Sequence, residues 1–195
     1  MEHGSVDTSP VSTQPFSPES GLVAAATDNI DRLVRWADDF PVDGVRFADL
    51  TPVFADSDGL SSVVAALATA GSGADLVAGI DARGFLLGAG VALTLGTGVL
   101  AVRKAGKLPP PVVSQSYQLE YGSAELQIPE AVDVSGRKVL VIDDVLATGG
   151  TVAATVELLR TRGADIVGAA VALEISALGG RGKCVGYPLV CLRQV

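Results

Sequence analysis

The sequence predicts an α/β fold, a mostly parallel twisted sheet flanked by helices, and three observations carry that prediction. Short apolar runs at Leu76–Ile80, Val99–Val102, Val139–Ile142 and Ile166–Leu173 have the composition of strands buried on both faces. Segments with helical periodicity alternate with them, as strand–helix–strand units require. The loops that follow the strands hold small or charged residues: Asp81-Ala82-Arg83-Gly84, Arg103-Lys104 with Lys107, and Ala147-Thr148-Gly149-Gly150-Thr151. Open α/β sheets bind ligands at those strand ends.

Composition narrows the function. With 195 residues the chain is expected to form one domain with a full core. Its longest apolar runs are too short to span a bilayer, so no membrane partner is expected. A net charge of −8 speaks against a nucleic-acid partner, which needs a basic surface. Cys184 and Cys191 lack CxxC spacing and read as small buried hydrophobes, which fits a reducing cytoplasm. His3 is the only histidine, so most histidine-based general-base and zinc chemistry is excluded.

Taken in order, residues 1–20 are rich in Ser, Thr and Pro, lack a signal-peptide pattern, and read as a disordered tail before a single domain at 21–195. Leu22, Ala26, Ile30, Leu33, Val34 and Ala37 then share one helical face, with Trp36 at its edge. After a turn at Pro41–Gly44, Val45–Pro52 reads as extended. A helix at Leu60–Ala70 precedes the first core strand, Leu76–Ile80. The next helix, Phe85–Leu95, carries Gly88 and Gly90, which allow close packing on the sheet. Gly96–Ala101 matches GxGxxA by letter, but it precedes a strand instead of opening a helix and is rejected as a dinucleotide site. Pro109–Pro111 stiffens the chain before Val113–Gly122 and Ala124–Ile128, which read as a mobile two-stranded flap. Ile166–Leu173 is a further core strand, and alternation at Tyr187–Leu192 marks a last one that returns towards the 40–55 region.

The chemistry centres on Val139–Thr151. An apolar strand ends in Asp143 and Asp144, then a small-residue loop leads into a periodic segment at Val152, Val156, Leu158 and Leu159. Gly149 and Gly150 let the backbone approach a ligand closely. The amides of Ala147–Thr151 converge at the positive end of the helix, where a phosphate is favoured. No Lys follows the glycines, so the loop is not a Walker A loop for a triphosphate. The acid pair suits neutral hydroxyls or a hard divalent cation. A phosphate cradle beside hydroxyl-reading acids describes a sugar phosphate, most simply a ribose 5-phosphate.

This run resembles the phosphoribosyl-pyrophosphate signature of the type I phosphoribosyltransferases. Further stretches resemble the adenine phosphoribosyltransferases of that family: Gly44–Pro52, Leu119-Glu120-Tyr121-Gly122 and Glu174–Arg181. The resemblance covers the chain from about Phe40 to its end. It implies a type I core with a small hood (about 40–55 and 174–195) and a flexible lid (about 105–128). It implies transfer of a phosphoribosyl group from phosphoribosyl pyrophosphate, as its Mg2+ complex, to adenine, in a cytoplasmic homodimer of purine salvage. Asp143 and Asp144 would position the ribose and stand near the metal, and Ala147, Thr148, Gly149, Gly150 and Thr151 would hold the 5-phosphate. Asp81, Ala82, Arg83 and Gly84, with Arg103, Lys104 and Lys107, would take the pyrophosphate, and the 81–84 turn would lie near the subunit contact. Phe47 would stack on the base, with main-chain groups around Arg46 and Ala48 reading its edge. Glu120, the catalytic candidate at the base, and Tyr121 would arrive with the lid. The chain departs from the family pattern at Asp43, where a proline is usual, and at Ala48, where a basic residue is usual. Two alternatives therefore stand: hypoxanthine, guanine or xanthine as the base, or a non-catalytic sensor of phosphoribosyl pyrophosphate. A sensor of that kind carries a basic DNA-binding module, for which the residues before Pro41 are too few and too acidic.

Overall fold

The structure, a computed structural model, describes residues 20–40, 43–119 and 122–195. The 1–20 tail of the sequence reading thus lies almost wholly outside the described residues, as do Glu120 and Tyr121. Helix α1 (Ser20–Leu33) leads into a small antiparallel ribbon of β1 (Arg35–Ala37) and β2 (Phe47–Asp49), followed by α2 (Thr51–Ala55) and α3 (Ser57–Ala68). The core then runs β3 (Leu76–Ile80), α4 (Gly84–Leu95), β4 (Gly98–Lys104), β5 (Val112–Leu119), β6 (Gly122–Pro129), β7 (Lys138–Leu146), α5 (Gly150–Thr161), β8 (Asp165–Glu174) and β9 (Leu189–Gln194). One seven-stranded sheet has the order β5-β6-β4-β3-β7-β8-β9. From β4 to β9 the neighbours are parallel, and β6 and β5 join antiparallel. The predicted α/β class is the observed one.

Period-two alternation divides the core between the two faces of the sheet. Val139 and Val141 of β7 pack with Ile80, Val152, Val156 and Leu159 on the α5 side. Leu140 and Ile142 pack with Ile30, Val63, Leu67, Leu87 and Val91 on the side of α1, α3 and α4. Gly88 lets α4 approach the sheet, since a Cβ there would stand 3.1 Å from Gly79 Cα. Gly90 serves a different contact, against Val64 of α3.

Several sequence expectations need correction. The helical face drawn through Val34 and Ala37 ends at Leu33, because Arg35–Ala37 pairs with Phe47–Asp49, and tertiary pairing overrides local periodicity. Thr51 and Pro52 are helical, with Pro in the first turn of α2, where its missing N–H costs nothing. The flap is no separate ribbon at its base: Arg103 pairs with Gln127 and Lys104 with Leu126, so β6 extends the central sheet. The last strand joins the main sheet: β9 lies along β8 as its edge, and Thr27 of α1 donates to Leu192 O at 3.0 Å.

Candidate active site

Register brings the site residues together. Ile80 is level with Val102, and Gly79 with Ile142, so Asp81, Arg103 and Asp143 emerge side by side from β3, β4 and β7. The acid pair is tightly placed. Asp143 Oδ1 accepts the Asp144 N–H at 2.9 Å, and Asp144 is only 5% exposed. Arg83 brings Nε within 2.7 Å of Asp144 Oδ2. Its N–H is not aimed along that line, and Oδ2 accepts no hydrogen bond from the described residues. Desolvation, reinforced by the Asp144 charge, pushes the Asp143 carboxyl well above its ordinary range. Asp144 is also raised by desolvation, against the opposing pull of Arg83. Burial thus disfavours the charged form of both carboxyls in the folded chain.

The Asp81–Gly84 turn connects β3 to α4, and its Asp81–Ala82 peptide is cis. Arg103 Nε donates to Asp81 Oδ2 at 2.9 Å, and its guanidinium lies 5.4 Å from the Phe85 ring centroid. Of the four cations expected here, Arg83 and Arg103 are therefore already paired with acids. Lys104 and Lys107 make no ion pair among the described residues. The patch exists, but half of it is held in place by carboxylates.

The glycine loop leaves β7 at Leu146 and enters α5 at Gly150. Gly149 caps the helix in the left-handed region, with φ 75°. The first N–H groups of a helix have no intrahelical acceptor and carry the positive end of its dipole, so this turn presents donors to an anion. Tyr117 of β5 reaches the same place, its hydroxyl 3.3 Å from Thr151 Oγ1. Strand β5 therefore touches the start of α5.

At the ribbon, Phe47 meets Phe40 edge-on at 5.1 Å and 71°. The Arg83 guanidinium lies 5.1 Å from the Phe47 centroid, and Nη1 donates to Ala48 O at 3.4 Å. The Arg46 side chain turns away, 4.5 Å over Trp36 and 3.6 Å from Asp38. Arg83 thus touches both the acid pair and the Phe47–Ala48 ribbon, a bridging position that sequence reasoning missed. Nothing in its spacing from either partner signals the contact.

No group of three or more His, Cys, Asp or Glu side chains capable of holding a metal occurs among the described residues. The two carboxylates nevertheless have the oxygen chemistry that suits a hard cation, although Asp144 Oδ2 already faces Arg83 Nε at 2.7 Å.

Residues 51–188 match the phosphoribosyl transferase domain family. The chain belongs to the phosphoribosyltransferases. It is 63% identical over 173 residues to the adenine phosphoribosyltransferase of Nocardia farcinica, covering 88% of this chain and 91% of that one. The crystal structure of the Rhodothermus marinus adenine phosphoribosyltransferase superposes with a TM-score of 0.83 at 36% identity, covering 88% of this chain and 99% of that one. The Saccharomyces cerevisiae enzyme, solved with adenine and an imino-altritol bisphosphate, gives 0.80 at 32% identity, covering 87% and 99%. Within the family, the chain falls among the adenine phosphoribosyltransferases.

Proposed function

We propose that this chain transfers the phosphoribosyl group of phosphoribosyl pyrophosphate to adenine, forming AMP and pyrophosphate. One observation carries the assignment: an acid pair, an amide-rich helix start and an arginine shared with an aromatic ribbon converge at one edge of the sheet. Each matches one part of the substrates. The helix start at Ala147–Thr151 holds the 5-phosphate. Asp143 and Asp144 accept from the ribose hydroxyls and hold the sugar in line. Arg83, Arg103, Lys104 and Lys107, with the Asp81–Gly84 turn, face the pyrophosphate.

In the reaction the bond from the ribose anomeric carbon to the pyrophosphate oxygen breaks, and its electron pair leaves with pyrophosphate. A nitrogen on the imidazole edge of adenine forms the new bond and gives up its proton. Positioning and charge neutralisation do most of the work. Mg2+, if bound with the substrate beside Asp143 and Asp144, would supply further neutralisation of the pyrophosphate. Water would compete for the ribosyl-cation-like centre, so the lid must exclude it. Glu120, carried by the lid, takes the base's proton, since the only histidine lies in the N-terminal tail and the two aspartates are committed to the sugar. Phe47 offers the base a ring, and because the Arg46 side chain is engaged by Trp36 and Asp38, main-chain groups there read the base edge.

The working unit is a homodimer. Leu86 and Leu93 lie on one face of α4, 57% and 83% exposed, and Val99 of β4 is 46% exposed. That apolar face begins next to the pyrophosphate turn, and exposed patches of this kind mark association surfaces. A cytoplasmic setting fits two unpaired cysteines, and the acidic chain has no nucleic-acid partner. No described helix is long and apolar enough to cross a membrane. Incubation with adenine and phosphoribosyl pyrophosphate tests the assignment: AMP and pyrophosphate should appear one for one, and no AMP would overturn it.

A further inference from the structure

Gly149 and Gly180 face each other with bare backbone on both sides. A Cβ on Gly149 would collide with the Gly180 carbonyl, its carbon only 2.9 Å away. Reciprocally, a Cβ on Gly180 would collide with Ala147 O and stand 2.7 Å from Gly149 N. Real Cβ atoms do not approach backbone so closely, and neither neighbour is a side-chain tip that could swing aside. The Gly180–Lys183 turn therefore rests directly on the loop between β7 and α5.

That turn is itself stapled to the sheet. Glu174, at the end of β8, is 5% exposed. Arg181 Nε lies 3.1 Å from both of its carboxylate oxygens, and Arg181 Nη1 donates to Leu189 O of β9 at 3.1 Å. Gln194 donates to Glu174 Oε2 at 3.0 Å. Hydrogen bonds from Arg181 hold the Glu174 carboxyl below its ordinary range, so the staple stays charged through mild acid. Glu174, Arg181 and Gln194 thus fix the height of Gly180 above the phosphate loop.

We propose that Gly180 is a positioning residue for the 5-phosphate: its bare backbone, held down by the Glu174–Arg181 pair, sets the conformation of Ala147–Gly149 and so the aim of the loop's amides. The proposal rests on the reading of Ala147–Thr151 as the phosphate cradle. It assigns a binding role to a segment well beyond the signature in sequence, one that touches the phosphate only through the loop.

The test is calorimetric binding of ribose 5-phosphate, alongside the kinetics with phosphoribosyl pyrophosphate. Gly180→Ala should weaken ribose 5-phosphate by about 10–100-fold, the scale of a misplacement near 1 Å. It should raise the KM for phosphoribosyl pyrophosphate far more than it lowers kcat. Gly182→Ala is the control, because a Cβ at Gly182 meets nothing within 4 Å and should leave both measurements unchanged. Should Gly180→Ala fail to fold, Arg181→Ala, which loosens the staple without crowding the loop, decides by the same readouts and should weaken ribose 5-phosphate in the same direction. Ribose 5-phosphate affinity within twofold of the parent in the folded variant would overturn the proposal while leaving the cradle in place. A parent chain that does not bind ribose 5-phosphate would overturn the cradle itself, and the role of Gly180 with it.

Discussion

Arg83 sets its guanidinium between Asp144, 2.7 Å from Oδ2, and the Phe47 ring, 5.1 Å away at its centroid. One side chain therefore joins the Asp81–Gly84 turn, the acid pair and the aromatic ribbon. Replacing it should affect more than the charge seen by a leaving group. Arg83→Gln is expected to lower kcat/KM for phosphoribosyl pyrophosphate by about 10²-fold, as misplaced reactants do, and to raise the KM for adenine as well. Steady-state kinetics with each substrate varied in turn checks this. An effect confined to phosphoribosyl pyrophosphate would make Arg83 a simple phosphate ligand.

The acid pair sets activity against stability. Asp143 is raised by desolvation and by Asp144, so ionising it costs the folded state more than the unfolded one. The sign follows. Below the unfolded value of about 3.9 the carboxyl is neutral in both states and costs nothing; the penalty grows as pH rises through the raised folded value. Asp143→Asn should therefore melt higher than the parent at pH 8, with the difference closing towards pH 3.5. Turnover should fall by one to a few orders of magnitude, roughly the effect of misplacing a reactant. Thermal melts of the ligand-free protein across that range, with activity at pH 8, supply both readings.

Gly149→Val should abolish measurable phosphoribosyl-pyrophosphate binding. Its φ of 75° strains a β-branched residue, and the side chain has no room beside Gly180. Calorimetry is the check; unchanged affinity would place the phosphate elsewhere.

How much of this was legible in the chain follows from which contacts are local. Strand β7, its two acids and the glycine loop could be read directly, because a β-branched apolar run, paired carboxylates and adjacent glycines each have a local cause. The end of α1 could not: Val34 and Ala37 continue its periodicity, and only pairing with β2 turns Arg35–Ala37 into a strand. The same holds for the base of the β5–β6 ribbon, where β6 meets β4 across more than twenty residues, and for Gly180 against Gly149. Arg83 was legible as a cation in a loop at a strand end, whereas its reach to Asp144 and Ala48 O depends on three elements meeting.

The exposed face of α4 yields a separate prediction. Leu93→Glu, at an 83% exposed site, should leave the fold intact and weaken self-association. Light scattering at micromolar concentration should show the parent as a dimer and the variant shifted to monomer. A monomeric parent would refute the dimer.

The central claim is that this site makes a glycosidic bond to adenine, and pyrophosphate release with adenine, hypoxanthine, guanine and xanthine in turn tests it most directly. A site that hydrogen-bonds one base edge rejects bases with a different edge strongly, so adenine should exceed each of the others in kcat/KM by about 10²-fold or more. Equal or faster release with a 6-oxopurine would contradict the account, and no release with any of the four would remove the enzyme assignment altogether.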